Sequence, residues 1–422
     1  MDPELINDCV HCGFCLPTCP TYVLWGEEMD SPRGRIHLMK QHVEGTPVTP
    51  EMAGHFDACL GCMACVTACP SGVRYDRLIE QTRAEVERRH VRDPQERAVR
   101  GIVFSLFPYP RRLRLLRPGM WLAERMASFL ARVHPSLGAM AALAPRVEHR
   151  QRMPRVVRAR GERRAVVGML TGCVQGEFFP QVNAATARVL SLEGCDVVIP
   201  RGQGCCGALS VHSGREDQAR RLARRTVRTF EKAGVDTVVV NAAGCGSSMK
   251  EYGELLGREP GFRAVDLSEY LAELGPVAKR HSLPLTVAYH DACHLAHAQG
   301  VRAQPRELLS GIPDLVVREI PESAICCGSA GTYNIFQPQA ARDLGDRKAA
   351  AVATTGAELL VSANPGCTMQ IATAMRRAGA DIRVAHTAEV LDASLRGVAL
   401  SERSERPNKH GSVLTGPTEE GQ

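Results

Sequence analysis

Two runs of this sequence match each other in their cysteines. Residues 9–20 read CVHCGFCLPTCP and residues 59–70 read CLGCMACVTACP. Both follow the pattern C-x2-C-x2-C-x3-C-P. Eight thiols at this density either pair as disulfides or bind metal. The N-terminus, MDPELINDCV, has no basic patch followed by an apolar stretch, so no secretory signal is expected. No apolar run reaches the roughly 18 residues that span a bilayer. A cytosolic, reducing setting disfavours disulfides and makes metal or redox use the expected role for the chain's 17 cysteines.

The spacing is that of two-cluster bacterial ferredoxins, in which the fourth cysteine of each run ligates the other cluster. Three close cysteines wrap one cube, and the proline after the fourth redirects the chain. This assigns Cys9, Cys12, Cys15 and Cys69 to one [4Fe–4S] cluster and Cys59, Cys62, Cys65 and Cys19 to a second. Structural zinc sites are the alternative, but they more often pair two separated C-x2-C units. Between the runs, Ile36, Met39 and Val43 recur at helical spacing and Gly45 is a natural stop. YDRLIEQTRAEVERR after the second run is also helical. The clusters are therefore expected among helices rather than in a small β-rich ferredoxin.

The formal charge of +6 counts every cysteine as neutral. Two four-thiolate clusters, each roughly −2 when oxidised, would bring it to about +2. No stripe of basic residues interleaved with aromatics is present, so no nucleic-acid partner is expected.

Residues 91–160 are arginine-rich and contain no cysteine. WLAERMASFLARV places Leu122, Met126, Leu130 and Val133 on one helix face. That face is expected to pack in a core or domain interface, with docking to a partner subunit or a membrane surface as the alternatives. Pro145 and Pro154 mark a linker.

From Ala165 onward, short β-type runs alternate with helical patterns, the signature of an α/β domain. The runs are AVVGML, DVVIP, DTVVVNA, LTVAYH, DLVVREI and ELLVSAN. The cysteines repeat with them. Cys173, Cys205–Cys206 before Gly207, and Cys245 form one set. Cys293, Cys326–Cys327 before Gly328, and Cys367 form the other, at offsets of 120, 121 and 122 residues. Such registry implies duplicated units. Each cysteine falls near the C-terminal end of an expected strand, the edge where open α/β sheets bind ligands. Buried thiols used as small apolar residues are the bland alternative, and Cys195, without a counterpart, is read that way. Gly202, Gly204 and Gly207 spell G-x-G-x-x-G, but the second repeat keeps only the last glycine, so nucleotide binding is not expected. His290, His294 and His297 surround Cys293. They either ligate or tune a metal site, or are polar residues opening a helix with Asp291 as its cap.

CVHCGFCLPTCPTY, SPRGRI, CPSGVRY, NAATARVL, GCCGA, GCGSSMKEYG and CCGSAGTYN together resemble the iron–sulfur subunit of glycolate oxidase, over residues 5 to 395. The CCG module is similar to those of heterodisulfide reductase, lactate-utilisation proteins and anaerobic glycerol-3-phosphate dehydrogenase. The resemblance implies an α+β multidomain chain, with an N-terminal α-helical ferredoxin domain followed by a duplicated α/β CCG domain. The expected boundaries are 1–90 for the ferredoxin domain, 91–160 for a helical connector, 161–275 and 276–400 for the CCG repeats, and 401–422 for a disordered tail. It further implies a complex in which an FAD-containing subunit oxidises glycolate to glyoxylate. This chain then relays electrons singly to a quinone-type acceptor and has no catalytic residue of its own. It would be cytoplasmic, with peripheral contact at the inner face of the cell membrane left open. One departure counts: the fuller CCG motif ends in C-x2-C, whereas Ser248 follows Cys245 and Gln370 follows Cys367. The eight CCG cysteines are thus carried as candidate ligands of further iron–sulfur clusters, without the five-thiolate kind. D-lactate or glycerol-3-phosphate complexes, and a heterodisulfide reductase-like thiol/disulfide enzyme, are the competing readings.

Overall fold

The computed structural model describes residues 3–90, 92–145, 153–380 and 382–400. The expected tail at 401–422 lies outside them, as do residues 146–152 of the expected linker.

Among the described residues, no strand precedes Val156. Proline sets the helix starts in this half. Pro20, Pro32 and Pro50 each sit in a first helical turn, where the missing N–H has no intrahelical role. Thus the proline after Cys19 opens helix Pro20–Trp25, and the chain leaves the first cysteine run along a new axis. Ser31 and Thr49 cap the next two helices by accepting the N–H of Gly34 and Met52. Helix Tyr75–Arg89 buries Leu78, Ile79 and Val86 against Met39 and Phe56. Ile36 and Met39 point into that core, but Val43, at the last turn of its helix, is exposed.

The connector departs from expectation. WLAERMASFLARV is two short helices, Met120–Arg125 and Ala127–Val133, broken at Met126. The second doubles back on helix Pro135–Ala142, where Gly138 lets the backbone close on Ala131. The turn uses the contact that a core would have supplied. Leu122, Met126 and Val133 are left exposed, with Leu115, Leu116, Trp121 and Phe129 beside them.

The second half contains two sheets. The first joins β1 (Val156–Val157), β2 (Ala165–Met169), β3 (Cys195–Val198), β4 (Thr237–Val240) and β5 (Arg263–Asp266) in the order β1-β3-β2-β4-β5. Only β1 is antiparallel. The second joins β6 (Leu285–His290), β7 (Leu315–Glu319), β8 (Leu359–Ser362) and β9 (Arg383–Ala385) in the order β7-β6-β8-β9, all parallel. Removing the short antiparallel β1 leaves the same order in both, as duplication requires. Helices cover the central strands β2, β4, β6 and β8, which are mostly buried and apolar, whereas the edge strand β7 is largely exposed. β1, β5 and β9 each hold only two consecutive apolar residues, which is why no clear pattern marks them.

The two sheets share one core, in which Val167, Val197 and Val239 join Val287 and Val361. The Ala243 N–H donates to the Ala363 carbonyl across the repeats at 3.1 Å. Helix Pro180–Leu192 packs on helix Thr387–Arg396, where Arg188 makes a bidentate pair with Asp392 at 2.8 and 2.7 Å.

The helical N-terminal half docks on both repeats. Arg83 donates to the His212 carbonyl at 2.8 Å and Arg100 to the Ser213 carbonyl at 3.2 Å. Beside them Gly214, at φ +76°, lies so close that a Cβ would fall 2.2 Å from the Arg83 carbonyl oxygen. Gly214→Ala should therefore lower stability by about 2 kcal/mol or more, from left-handed strain plus a backbone clash. Urea unfolding of the full chain measures it, and a loss under about 0.5 kcal/mol would show that this contact does not hold the halves together.

Candidate metal centres

The first cysteine loops curl in the same way in both runs. His11 and Gly13 in one, and Gly61 and Met63 in the other, take positive φ: 54° and 88° against 63° and 63°. Each pair stands between the first three cysteines of its run. Successive left-handed residues turn a loop tightly enough for those cysteines to converge on one point. Met63 does this without being glycine, a sign that tertiary packing holds the conformation; it is buried among Ile79, Phe56 and Cys65.

Two small cavities result. One is lined by Cys9, Cys12, Cys15 and Cys69, with Ile36 and Tyr75. The other is lined by Cys59, Cys62, Cys65 and Cys19, with Arg35 and Tyr75. Each run thus sends its fourth cysteine to the cavity formed by the other run's first three. Cys65 borders both cavities. Cys12 is exposed, whereas Cys19, Cys59, Cys62 and Cys65 are buried.

The donors suit thiolate ligation to a positively charged centre. Burial, with neighbouring cysteines adding to it, raises the thiols of Cys62 and Cys65 well above their ordinary range and pushes Cys15 up to about 11. Such groups ionise only against strong positive charge. Cys59 differs. Burial pushes it up, but the Arg35 and Arg83 guanidiniums, the Tyr75 hydroxyl and the Gly61 N–H bring it below the ordinary thiol value. The Gly61 N–H lies 3.3 Å and the Tyr75 hydroxyl 3.6 Å from Cys59 Sγ. Arg35 is buried. It donates to Asp30 Oδ1 and Thr21 Oγ1, both at 3.1 Å, and to the His55 carbonyl at 2.6 Å, with Cys19 Sγ 4.0 Å away. Four convergent sulfurs fit an iron–sulfur cluster in each cavity, and the second cavity adds a backbone N–H and the buried Arg35 cation that suit an anionic one.

The CCG cysteines are also brought together. Cys173 follows β2, Cys205 and Cys206 follow β3, and Cys245 lies in the helix after β4. The Cys205 thiol is perturbed by its neighbours Cys173 and Cys206, and Cys206 by Cys205 and Cys245. In the second repeat Cys326 Sγ lies 4.0 Å from Cys293 Sγ, and Cys327 is perturbed by its neighbours Cys326 and Cys367. Each repeat therefore holds a chain of four thiols at the C-terminal edge of its sheet. Cys195 lies apart, buried in β3 near the Tyr270 hydroxyl at 3.9 Å. The positions that lack a thiol are occupied otherwise. Ser248 is buried, and Gln370 donates to the Ala341 carbonyl at 2.6 Å and accepts from Asn334 at 3.1 Å.

The three histidines divide. His294 Nε2 donates to the Gly61 carbonyl at 3.0 Å, so its Nδ1 accepts from Ser247 Oγ at 2.8 Å. Burial, with His212 nearby, pushes His294 down to about 3. His297 Nδ1 pairs with Thr67 Oγ1 at 2.7 Å. Both therefore join the second cysteine run to the second repeat rather than facing the thiols. Sequence reasoning left this seam unseen, because nothing local marks a histidine whose partner lies more than 200 residues away. His290 remains, buried beside Cys327 and Cys367. Across the seam, Cys62 packs in one cluster with Leu60, Ile325, Cys326 and Cys293.

Comparison with known proteins agrees with this organisation. A 4Fe-4S dicluster domain model matches residues 5–73, and a cysteine-rich domain model matches residues 167–250 and 287–372. A model for the linker region of the glycolate oxidase iron-sulfur subunit matches residues 95–148. The "Probable glycolate oxidase iron-sulfur subunit" of Bacillus subtilis is 37% identical, over 92% of this chain and 93% of that one. The "Glycolate oxidase iron-sulfur subunit" of Escherichia coli is 36% identical, over 93% and 95%. "Lactate utilization protein A" of Halalkalibacterium halodurans is 31% identical, over 54% of this chain and 96% of its own. With full-length relatives and all three regional models in agreement, the chain belongs to the glycolate oxidase iron–sulfur subunit family.

Proposed function

We propose that this chain is the electron-relay subunit of a glycolate-oxidising complex. It accepts electrons from a separate FAD-containing subunit and delivers them towards a quinone-type acceptor. The observation that carries the reading is a continuous line of sulfur. It begins at the exposed Cys12, flanked by exposed Val10 and Phe14. It runs through the adjoining cavities that share Cys65, and crosses at Cys62 to Cys293 and Cys326. When bound, iron–sulfur clusters supply one-electron carriers there. The protein's own work is to hold the sulfurs converged, exclude water from the second cavity, and set charge beside Cys59 with Arg35 and Arg83. Cys9, Cys12, Cys15 and Cys69 are the ligands of one [4Fe–4S] cluster, and Cys59, Cys62, Cys65 and Cys19 those of the other. In domain terms, residues 1–90 are the ferredoxin domain, 91–160 the connector, and 161–275 and 276–400 the CCG repeats. The relatives named for glycolate oxidase cover more than nine-tenths of the chain, whereas the lactate-utilisation relative covers about half, which favours glycolate over lactate.

The connector favours a peripheral membrane contact for the complex. No described helix is long and apolar enough to cross a membrane. However, Leu115, Trp121, Leu122, Phe129 and Val133 are exposed among Arg111, Arg112, Arg125 and Arg132, the composition of a surface that rests on anionic lipid.

In EPR of the reduced protein, Cys19→Ser should damage the same signal as Cys62→Ser, and Cys69→Ser the same as Cys12→Ser. If Cys19→Ser behaves like Cys12→Ser, the crossed ligation is wrong. The purified chain should not oxidise glycolate, and adding the FAD-containing subunit should restore dye or quinone reduction; turnover by the single chain would overturn the relay reading. Replacing Trp121 and Phe129 together with Asp should reduce sedimentation with phosphatidylglycerol vesicles by at least about tenfold. Unchanged binding would remove the connector as the contact.

A further inference from the structure

The two repeats differ at one place where their folds coincide. His290 ends β6 and lies in register with Ser362, which ends β8. Both His290 ring nitrogens and the Ser362 hydroxyl are buried without a hydrogen-bond partner, and so is the hydroxyl of Ser329, two residues after Cys327. Buried polar atoms are seldom left so. In the first repeat the matching positions are Leu170, Val240 and Ala208, all apolar and buried. The β2–β4 and β6–β8 registers confirm the correspondence, since Met169 pairs with Val239 as Tyr289 pairs with Val361. One repeat thus closes its thiol set with apolar side chains. Its twin puts an imidazole and two hydroxyls around the same point.

That point is beside sulfur. A ligand nitrogen of His290 and the Sγ atoms of Cys327 and Cys367 all lie within 4.8 Å of one another. Bonds of about 2.3 Å in tetrahedral geometry separate ligand sulfurs by roughly 3.8 Å, so small side-chain adjustments would close these donors on one metal atom. Cys326, next in the thiol chain, and Cys293 beyond it supply further sulfur. Neutral imidazole with thiolates selects a soft or borderline metal, zinc or the iron of an iron–sulfur centre. His294 and His297 are engaged at the seam, which leaves His290 as the histidine of this motif that faces the thiols without a partner.

We propose that His290 is a metal ligand, binding a thiophilic metal together with Cys327 and Cys367 in a mixed nitrogen–sulfur site that only the second repeat possesses. Ser362 and Ser329 are then partners for the free ring N–H and for metal-bound sulfur. The proposal does not rest on the relay reading, because metal content and coordination are measured without electron transfer.

The test uses the full chain, purified anaerobically and loaded in separate samples with ferrous iron plus sulfide, or with zinc after the same iron loading. Pulsed EPR reads nitrogen coupling in the iron sample and X-ray absorption reads the zinc shell. Either one nitrogen coupled to iron or one nitrogen in the zinc shell supports the proposal, and the two arms tell an iron–sulfur centre from a single zinc ion. Labelling histidine with 15N in the wild-type chain must shift the iron-sample coupling. His290→Leu, which copies the first repeat, should lose the nitrogen and weaken metal binding at least about tenfold, leaving the two ferredoxin-type signals unchanged. His290→Cys should keep the metal but show sulfur in place of nitrogen, which guards against a folding defect in the leucine variant. An all-sulfur shell in both wild-type samples, or nitrogen that persists in both variants, overturns it.

Discussion

Sulfur that carries negative charge inside a protein must face cations or hydrogen-bond donors, because burial favours the neutral thiol. Arg35 meets that requirement in the N-terminal half. It is a fully buried guanidinium, tied to Asp30 at 3.1 Å and to the His55 carbonyl at 2.6 Å, and it lies beside sulfurs from both cysteine runs. Removing one partner of such a buried pair typically costs about 3–5 kcal/mol, because the remaining charge is stranded. The helices that supply Asp30, Thr21 and His55 are therefore arranged around one cation. The two cysteine loops follow from that arrangement.

The cysteine positions made much of this architecture legible. The doubled C-x2-C-x2-C-x3-C-P spacing fixes which sulfurs can converge, and two cavities lined in crossed fashion are what that spacing leads one to look for. The 120–122 residue offsets carried the duplication, and the six β-type runs carried β2, β3, β4, β6, β7 and β8. β1, β5 and β9 escaped because each offers at most two consecutive apolar residues, Val156–Val157, Ala264–Val265 and Val384–Ala385, too few to stand out as a run. The connector escaped for another reason. Leu122, Met126, Leu130 and Val133 do keep helical spacing, but a helical stripe states only that a face is apolar, not what covers it. The roles of His290, His294 and His297 depended on partners in other elements, Thr67 and Gly61 among them, and no local pattern could separate the three.

Duplication left two thiol sets in separate buried clusters of the two repeats, and the sets have diverged around a constant frame. The CCG turns keep their left-handed glycines, at φ 99° for Gly207 and 86° for Gly328. In each, a Cβ would meet the backbone carbonyl of a following helix, from Ala219 at 3.1 Å or Ala341 at 2.6 Å. The geometry that brings the paired cysteines to the sheet edge is thus set by backbone contacts. The residues around the thiols were free to change chemistry without moving the frame.

The seam between the second cysteine run and the second repeat has a kinetic consequence. Gly61 is bonded to His294 and Thr67 to His297, while Leu60 and Cys62 are packed against Ile325 and Cys326; Arg83 adds a bond to the His212 carbonyl of the first repeat. A carrier unit held this way does not swing between a docking station and a discharge station. It is held in place, so any electron passage between the halves would be governed by a fixed separation rather than by diffusion of a tethered arm, and solvent viscosity should leave such passage untouched.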